Sequence, residues 1–214
     1  MISHALMIVM NELKKHLSDE YGVLADAVGL GNLAEGFAKS GGGSTSEGIP
    51  REMLILSMVN IKEEKSLKNL PNTIHDDSRL KVIYENPPLY LNAQILVTAP
   101  HSSYSGALLM LSRAIRFFQF RKVFTQDSVS PESISTGKPL NALDQLETFK
   151  LIFDLYSPTM EEVNHLWGTL GGKQYPFAIY TMRMLELQFR GAQRAGSLVT
   201  EVVRDFYHKT SLAN

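Results

Sequence analysis

Cysteine is absent from the 214 residues. That excludes disulfides, thiolate catalysis, Cys-ligated zinc and iron–sulfur clusters, and it fits a reducing compartment. An excess of either charge is also missing, because 21 Lys and Arg stand against 22 Asp and Glu for a net charge of −1. A chain so balanced makes no electrostatic case for nucleic acid or an anionic membrane surface. No apolar run approaches the ~18 residues that a membrane-spanning helix needs, so direct membrane insertion is not expected. Ile2–Met10 is apolar, but no basic region precedes it, and Asn11, Glu12, Lys14 and Lys15 follow at once. The sequence therefore predicts no secretory signal and a chain made and folded in the cytosol.

Catalytic signatures are scarce as well. Glu63-Glu64 reads as a solvated strand end, and His75-Asp76-Asp77 as a turn without a second ligand cluster. His165 beside Glu161 and Glu162 lacks that second cluster too. The glycine-rich run at 41–43 has no following Gly-Lys-Ser/Thr, and Gly168–Lys173 follows a helix instead of opening one. His101-Ser102-Ser103 has neither an orienting acid in view nor a strained Gly-x-Ser-x-Gly elbow. The expectation is no catalytic, cofactor-binding or metal residue, and no enzyme.

What is present is strong apolar patterning. Leu6, Val9, Met10, Leu13 and Leu17 recur at three and four, marking an amphipathic first helix, with Glu12 and Lys15 off its face. Val23–Leu33 reads as a short extended segment. Glu35–Pro50 holds AKSGGGSTSEGIP, a run of glycine and serine that predicts a mobile loop, since glycine loses the most backbone entropy on ordering. Met53–Ile61 is apolar on both alternating faces, which predicts a covered central strand. Leu67–Ser78 reads as a connection, and Leu80–Glu85 as a half-exposed strand. Asn86-Pro87-Pro88 breaks the ladder before a long strand resumes at Leu89–Ala99.

From about Ser103 to Phe120 the spacing predicts a helix with Tyr104, Leu108, Leu111, Ile115 and Phe118 on its buried stripe. Arg113, Arg116, Arg121 and Lys122 form a basic edge beside it. Phe124–Asp144 reads as loop, and Thr148–Leu155 as a strand. Thr159-Met160-Glu161-Glu162 has the spacing of a capping box, opening a helix that Gly171-Gly172 ends. Tyr175–Phe189 alternates as a long strand, Gly191–Gly196 reads as a hinge, and the segment beyond it as a docking arm. The sum is an α/β (α+β) fold: a mixed, largely antiparallel sheet packed by helices over 1–190, with a mobile Gly/Ser loop at 38–50 and a C-terminal arm at 191–214.

Four phrases carry a family likeness: SMVNIKEEKSLKN (57–69), NPPLYLNAQILVTAP (86–100), LSRAIRFFQFRKVFT (111–125) and VNHLWGTLGGKQYPFAIYTMRML (163–185). In this order they resemble the tail-terminator or cap proteins of extracellular contractile injection systems, the phage-tail-like particles of antifeeding-prophage and virulence-cassette type. The likeness covers about Ile2–Leu187 and weakens at Glu35–Gly48 and beyond Phe189. It implies a phage tail-terminator-like fold and a structural role without cofactors. It further implies a ring of six copies that ends the inner tube and sheath distal to the baseplate and stops their growth. The implied partners are self, the inner tube protein and the sheath protein, within a particle either released or anchored. Three regions are expected to make contacts: the basic edge Arg113, Arg116, Arg121 and Lys122; the kink Asn86, Pro87 and Pro88 with Tyr90; and the tail residues Val199, Val203, Phe206 and Tyr207. The competing expectation is a small-ligand-binding or hydrolytic α/β domain using His101 and Ser102.

Overall fold

The first helix, α1 (Ile2–Tyr21), turns the predicted stripe inward: Leu6, Val9, Met10, Leu13 and Leu17 are all buried. Gly22 ends it in the left-handed conformation, φ 61°, its N–H donating to Leu17 O and Ser18 O. The computed structural model describes residues 1–23, 25–36, 49, 51–67, 71–76, 81–188, 194–197, 202 and 204. Apart from Ile49, the Gly/Ser segment 38–50 lies outside them.

These residues divide into two compact units, Met1–Lys68 with Pro88–Leu187 and Asn69–Pro87 with Gln188–Asn214. In the larger unit the strands are β1 (Val28–Leu30) and β2 (Leu54–Glu63). The numbering passes over β3 (Thr73–Asp76) and β4 (Lys81–Tyr84) of the smaller unit to β5 (Leu89–Thr98), then β6 (Val123–Thr125), β7 (Lys150–Tyr156) and β8 (Phe177–Leu187). Their order in the sheet is β1-β2-β5-β8-β7-β6. Only the β1–β2 pair is parallel; the others are antiparallel. In the smaller unit β3 and β4 join β9 (Arg194–Ser197) in a three-stranded antiparallel sheet, order β3-β4-β9. That order repeats β2-β5-β8, and each small strand is joined in sequence to the corresponding large one. The stretch expected as a hinge at Gly191–Gly196 thus contributes to a strand, because pairing with β4 overrides the weak strand preference of Ala195 and Gly196.

Alternation along the strands builds two cores. Leu91, Ala93, Ile95 and Val97 of β5 join α1 and α2 (Tyr104–Phe120) on one face of the large sheet. Leu96, with Ile55 and Ile179, packs on the other face against Val163 and Trp167 of α4 (Met160–Thr169). The first face is covered only in part at the end of β2, where Met58 pairs with Ile95 and Ile61 with Ala93. Leu54–Ser57 of β2 are buried, whereas Met58 and Ile61 are each 40% exposed, so half of the strand expected to be central faces solvent. A bulge at Met58/Asn60 shifts the register there.

The capping box is present. Thr159 Oγ1 accepts from Glu162 N at 3.3 Å, and Glu162 Oε2 accepts from Thr159 N at 2.8 Å. Thr159→Ala is expected to cost ~1 kcal/mol by urea unfolding, with Thr159→Ser near neutral. The segment expected as loop holds β6 and a short helix, α3 (Pro131–Ser135). Among the described residues no helix is long and apolar enough to cross a membrane.

Candidate functional site

The α2 helix opens at Ser103, whose Oγ accepts from Gly106 N at 3.4 Å. Its buried side is Ala107, Met110, Leu111, Ala114, Phe117 and Phe118. The expected stripe is therefore rotated: Leu111 and Phe118 are inside, but Tyr104, Leu108 and Ile115 face out. Small Ala107 and Ala114 let the helix approach its neighbours closely, and that choice of inner face leaves large apolar groups outside. Tyr104, Leu108, Leu109, Ile115 and Phe120, the last 78% exposed, lie with Arg116 on the outward side of the helix. Such a cluster is the kind of surface that association covers.

The four basic residues separate into two pairs. The Arg113 guanidinium lies 4.5 Å from the Tyr21 ring centroid, a cation–π distance, and Nη1 donates to Met110 Sδ at 3.7 Å. Arg121 forms an ion pair with Glu12, a carboxylate only 3% exposed. Arg116 and Lys122 stand exposed.

Glu12 is the centre of a polar seam that sequence reading left on the solvent side. Its Oε1 accepts from Ser130 N at 2.7 Å, while Lys15 Nζ donates to Ser130 Oγ at 2.8 Å. Burial pushes the Glu12 carboxyl up, but hydrogen bonds from Ser133 and Ser130 and the Arg121 charge outweigh it and hold the pKa below the ordinary value. Asn11 Nδ2 donates to Ser133 O and Thr136 O, at 3.1 and 3.0 Å. Buried His4 accepts from Leu146 N on Nδ1, so its Nε2–H donates to Ile134 O at 3.0 Å. One signal was available: Glu12 follows Ile8 by four and Val9 by three, the spacing of the buried face.

The kink residues lie where the chain passes between the two units. Asn86 is exposed, and its carbonyl accepts from Gln188 Nε2 at 3.3 Å. Pro87, Pro88 and Tyr90 are half-buried. Burial, then the nearby Glu186 carboxylate, raises the Tyr90 pKa. Val199, Val203, Phe206 and Tyr207 lie outside the described residues.

The hydrolytic alternative finds no relay among the described residues. Ser102 N donates to Glu52 Oε1 at 2.7 Å, a turn-capping bond, and His101 Nδ1 is buried with no partner. Hydroxyl, imidazole and carboxylate are not linked in series as a nucleophilic triad requires. No group of three or more His, Asp or Glu among the described residues is placed to hold a metal.

A cavity of about 240 Å³ opens where α4 ends. Trp167 and Tyr175 form aromatic wall, Leu33 and Leu170 apolar wall, and Arg51, Gly171 and Lys173 exposed rim. Gly171 and Gly172 carry φ of 94° and 77°, which turn the chain sharply into that rim.

A family model, the Pvc16 N-terminal domain, matches residues 5–201. No curated protein matches the chain. Among solved structures, the sheath/tube terminator of the PVC extracellular contractile injection system, in its extended state, matches with a TM-score of 0.60 at 14% identity. That match covers 100% of this chain and 65% of the other. The tube-terminating cap of the anti-feeding prophage matches with a TM-score of 0.52 at 11% identity, covering 92% of this chain and 60% of the other. The chain thus spans under two thirds of the length of either structure. At these identities the likeness establishes a shared fold.

Proposed function

The chain belongs to the Pvc16 N-terminal domain family, and we propose that it is a structural, non-enzymatic terminator of a contractile injection system. It forms a closed ring of six copies that ends the inner tube and sheath distal to the baseplate and stops further subunit addition. It assembles in the bacterial cytoplasm as part of a particle that is later released or anchored. The observation that carries this reading is the outward side of α2, five exposed large apolar side chains with Arg116, on a fold shared with a sheath/tube terminator and a tube-terminating cap. A closed ring uses head-to-tail contacts, in which one surface meets a different surface of the next copy. An outward helix side with exposed apolar groups and a cation suits such a contact. In this reading Arg116 and Lys122 act between molecules, while Arg113 and Arg121 serve mainly within the chain. The kink at Asn86, Pro87, Pro88 and Tyr90 and the arm with Val199, Val203, Phe206 and Tyr207 are further contact regions, the arm on sheath.

The test is co-expression with tube and sheath, followed by negative-stain images of particle ends. Arg116→Glu with Phe120→Glu is expected to leave the isolated chain folded and to reduce capped ends about tenfold, as loss of central contact residues does. Particle lengths should broaden at the same time. Particles of unchanged length distribution made without this chain would overturn the terminator reading. Normal capping by the double variant would remove α2 from the interface.

A further inference from the structure

We infer that the loop at 139–143 of one copy of this chain docks on the outward side of α2 of the next copy, seating Leu140 and Leu143 on Tyr104, Leu108 and Ile115. The contact rests on the terminator reading, in which each copy meets the next head to tail. Leu140 is 104% exposed and Leu143 66%. A single exposed leucine signifies little, but these two stand three residues apart on a loop that is held in place. Gln145 Nε2 donates to Pro139 O at 2.8 Å, and Asn141 Oδ1 accepts from Leu143 N at 3.0 Å, opening a 3-10 turn at Ala142–Asp144. Leu146 closes the loop, buried, with its N–H donating to His4 Nδ1 at 2.9 Å. At the other end Gly137 has φ 73°, and a Cβ there would collide with Met7 Cε. The tip is thus ordered before any contact forms, which lowers the entropic cost of docking it.

The partner follows from where the two surfaces lie. Glu12 meets Arg121, His16 meets Phe117 and Tyr21 meets Arg113, so α1 and α2 run antiparallel. That register carries Tyr104 and Leu108 past the last turn of α1, whereas the loop is pinned to His4 and Met7 in its first two turns. At 1.5 Å per residue the loop anchors and Leu108 are about 30 Å apart along the helix axis. One chain therefore bears an apolar tip and an apolar stripe in separate places. A closed head-to-tail ring needs that arrangement, since each copy gives one surface and receives the other. The charges match as well. Asp144 and Glu147 stand exposed beside the tip and outweigh Lys138, while α2 contains no acidic residue and exposes Arg116 beside the stripe. Ser112, between Leu108 and Ile115, donates to Leu108 O at 2.7 Å, so an apolar cover leaves that hydroxyl hydrogen paired. Because both complementary surfaces occur on this one chain, the occupant is a second copy and not a tube or sheath subunit.

The chain has no cysteine, so introduced cysteines report alone. Leu143→Cys and Leu108→Cys are placed on separate copies, mixed, and treated with a short bis-maleimide. The treatment is applied to the purified full chain and to particles co-expressed with tube and sheath. Mass spectrometry of the joined peptides should show 143–108 pairs between copies, and a chain bearing both substitutions should give a ladder of joined copies. Adding Leu140→Asp, an exposed change, should reduce the ladder about tenfold, as loss of a central contact does. Arg116→Glu should reduce it about fivefold, and Asp144→Lys in the same chain should restore most of it. Pairs of 143 with 143 or 108 with 108 in place of the mixed pair overturn the contact. So do joined peptides of tube or sheath at either position, and so does the absence of joined copies in both settings. Capped particle ends without the mixed pair remove this contact and leave the terminator reading standing. A mixed ladder from chains that never cap a particle supports the contact and removes the terminator reading.

Discussion

Phe118→Ala is expected to destabilise the chain by about 4 kcal/mol, within the range for emptying a large aromatic site. At roughly 2–4 °C per kcal/mol for a chain of this size, Tm should fall by about 8–16 °C. The reason is the aromatic cluster that joins α2 to the sheet. Phe118 stacks on Phe153 with centroids 5.1 Å apart and planes at 16°, and meets Tyr180 at 4.5 Å. Phe124 closes the group edge-on to Phe153 at 5.5 Å. These side chains come from α2, β6, β7 and β8, so one truncation opens a void that no single element can move to fill. Tyr180 shows how dry the cluster is, since burial pushes its phenol pKa up to about 12. Ile115→Ala is the control. Ile115 lies on the outward face, and its loss should cost no more than ~0.5 kcal/mol in the isolated chain. Equal losses from the two substitutions would mean that α2 is rotated toward the stripe its sequence first suggests.

That contrast shows what could be read from the residues and what could not. The stripe of α1 was legible because its opposite face is polar, so only one orientation buries apolar groups. The α2 sequence is apolar nearly all round, and hydrophobic spacing there names two candidate faces. Contact with α1 and the sheet decides between them, through Ala107 and Ala114, whose small size is a weak signal alone. The long strands β5 and β8 and the capping box were legible because their patterns are local. The short elements β6 and α3 were not, because three to five residues among serines and prolines carry no measurable period. Strand β3 was hidden for the same reason. In the interface candidates, exposure was the missing quantity. Four cations near one helix end look alike in sequence, yet Arg121 is committed to Glu12 and Arg113 to Tyr21, by contacts from chain segments far away. The cavity at Trp167 gave a partial signal in Gly171-Gly172-Lys173. That run reads as a helix stop and fails as a phosphate loop, and its cavity partners Leu33 and Arg51 come from distant sequence.

Glu12→Gln is expected to cost about 2 kcal/mol at neutral pH, the scale of the charge-assisted hydrogen bonds lost at a buried carboxylate whose partner Arg121 is 32% exposed. The substitution keeps the volume but replaces the carboxylate facing Arg121 with a neutral amide. It also weakens the acceptor of the Ser130 N–H, which ties α1 to the start of α3. The folded carboxyl has a pKa below its ordinary value. Its contribution is therefore fully present above the unfolded pKa and is lost as pH falls through the folded one. Urea unfolding of the wild-type chain should show stability declining as pH drops below about 4.5, the ordinary carboxylate range. The Gln variant should lack this component, and the two curves should converge at low pH. A double-mutant cycle with Arg121→Met assigns the pair, with an expected coupling of about 1–2 kcal/mol. The cycle also separates fold from interface. If Arg121 serves Glu12, its replacement lowers the stability of the isolated chain, whereas Arg116→Met leaves it within ~0.5 kcal/mol. A stability loss from Arg116 and none from Arg121 would reverse the roles given to the two ends of the basic edge. It would also move the outward contact from the middle of α2 to its C-terminal end.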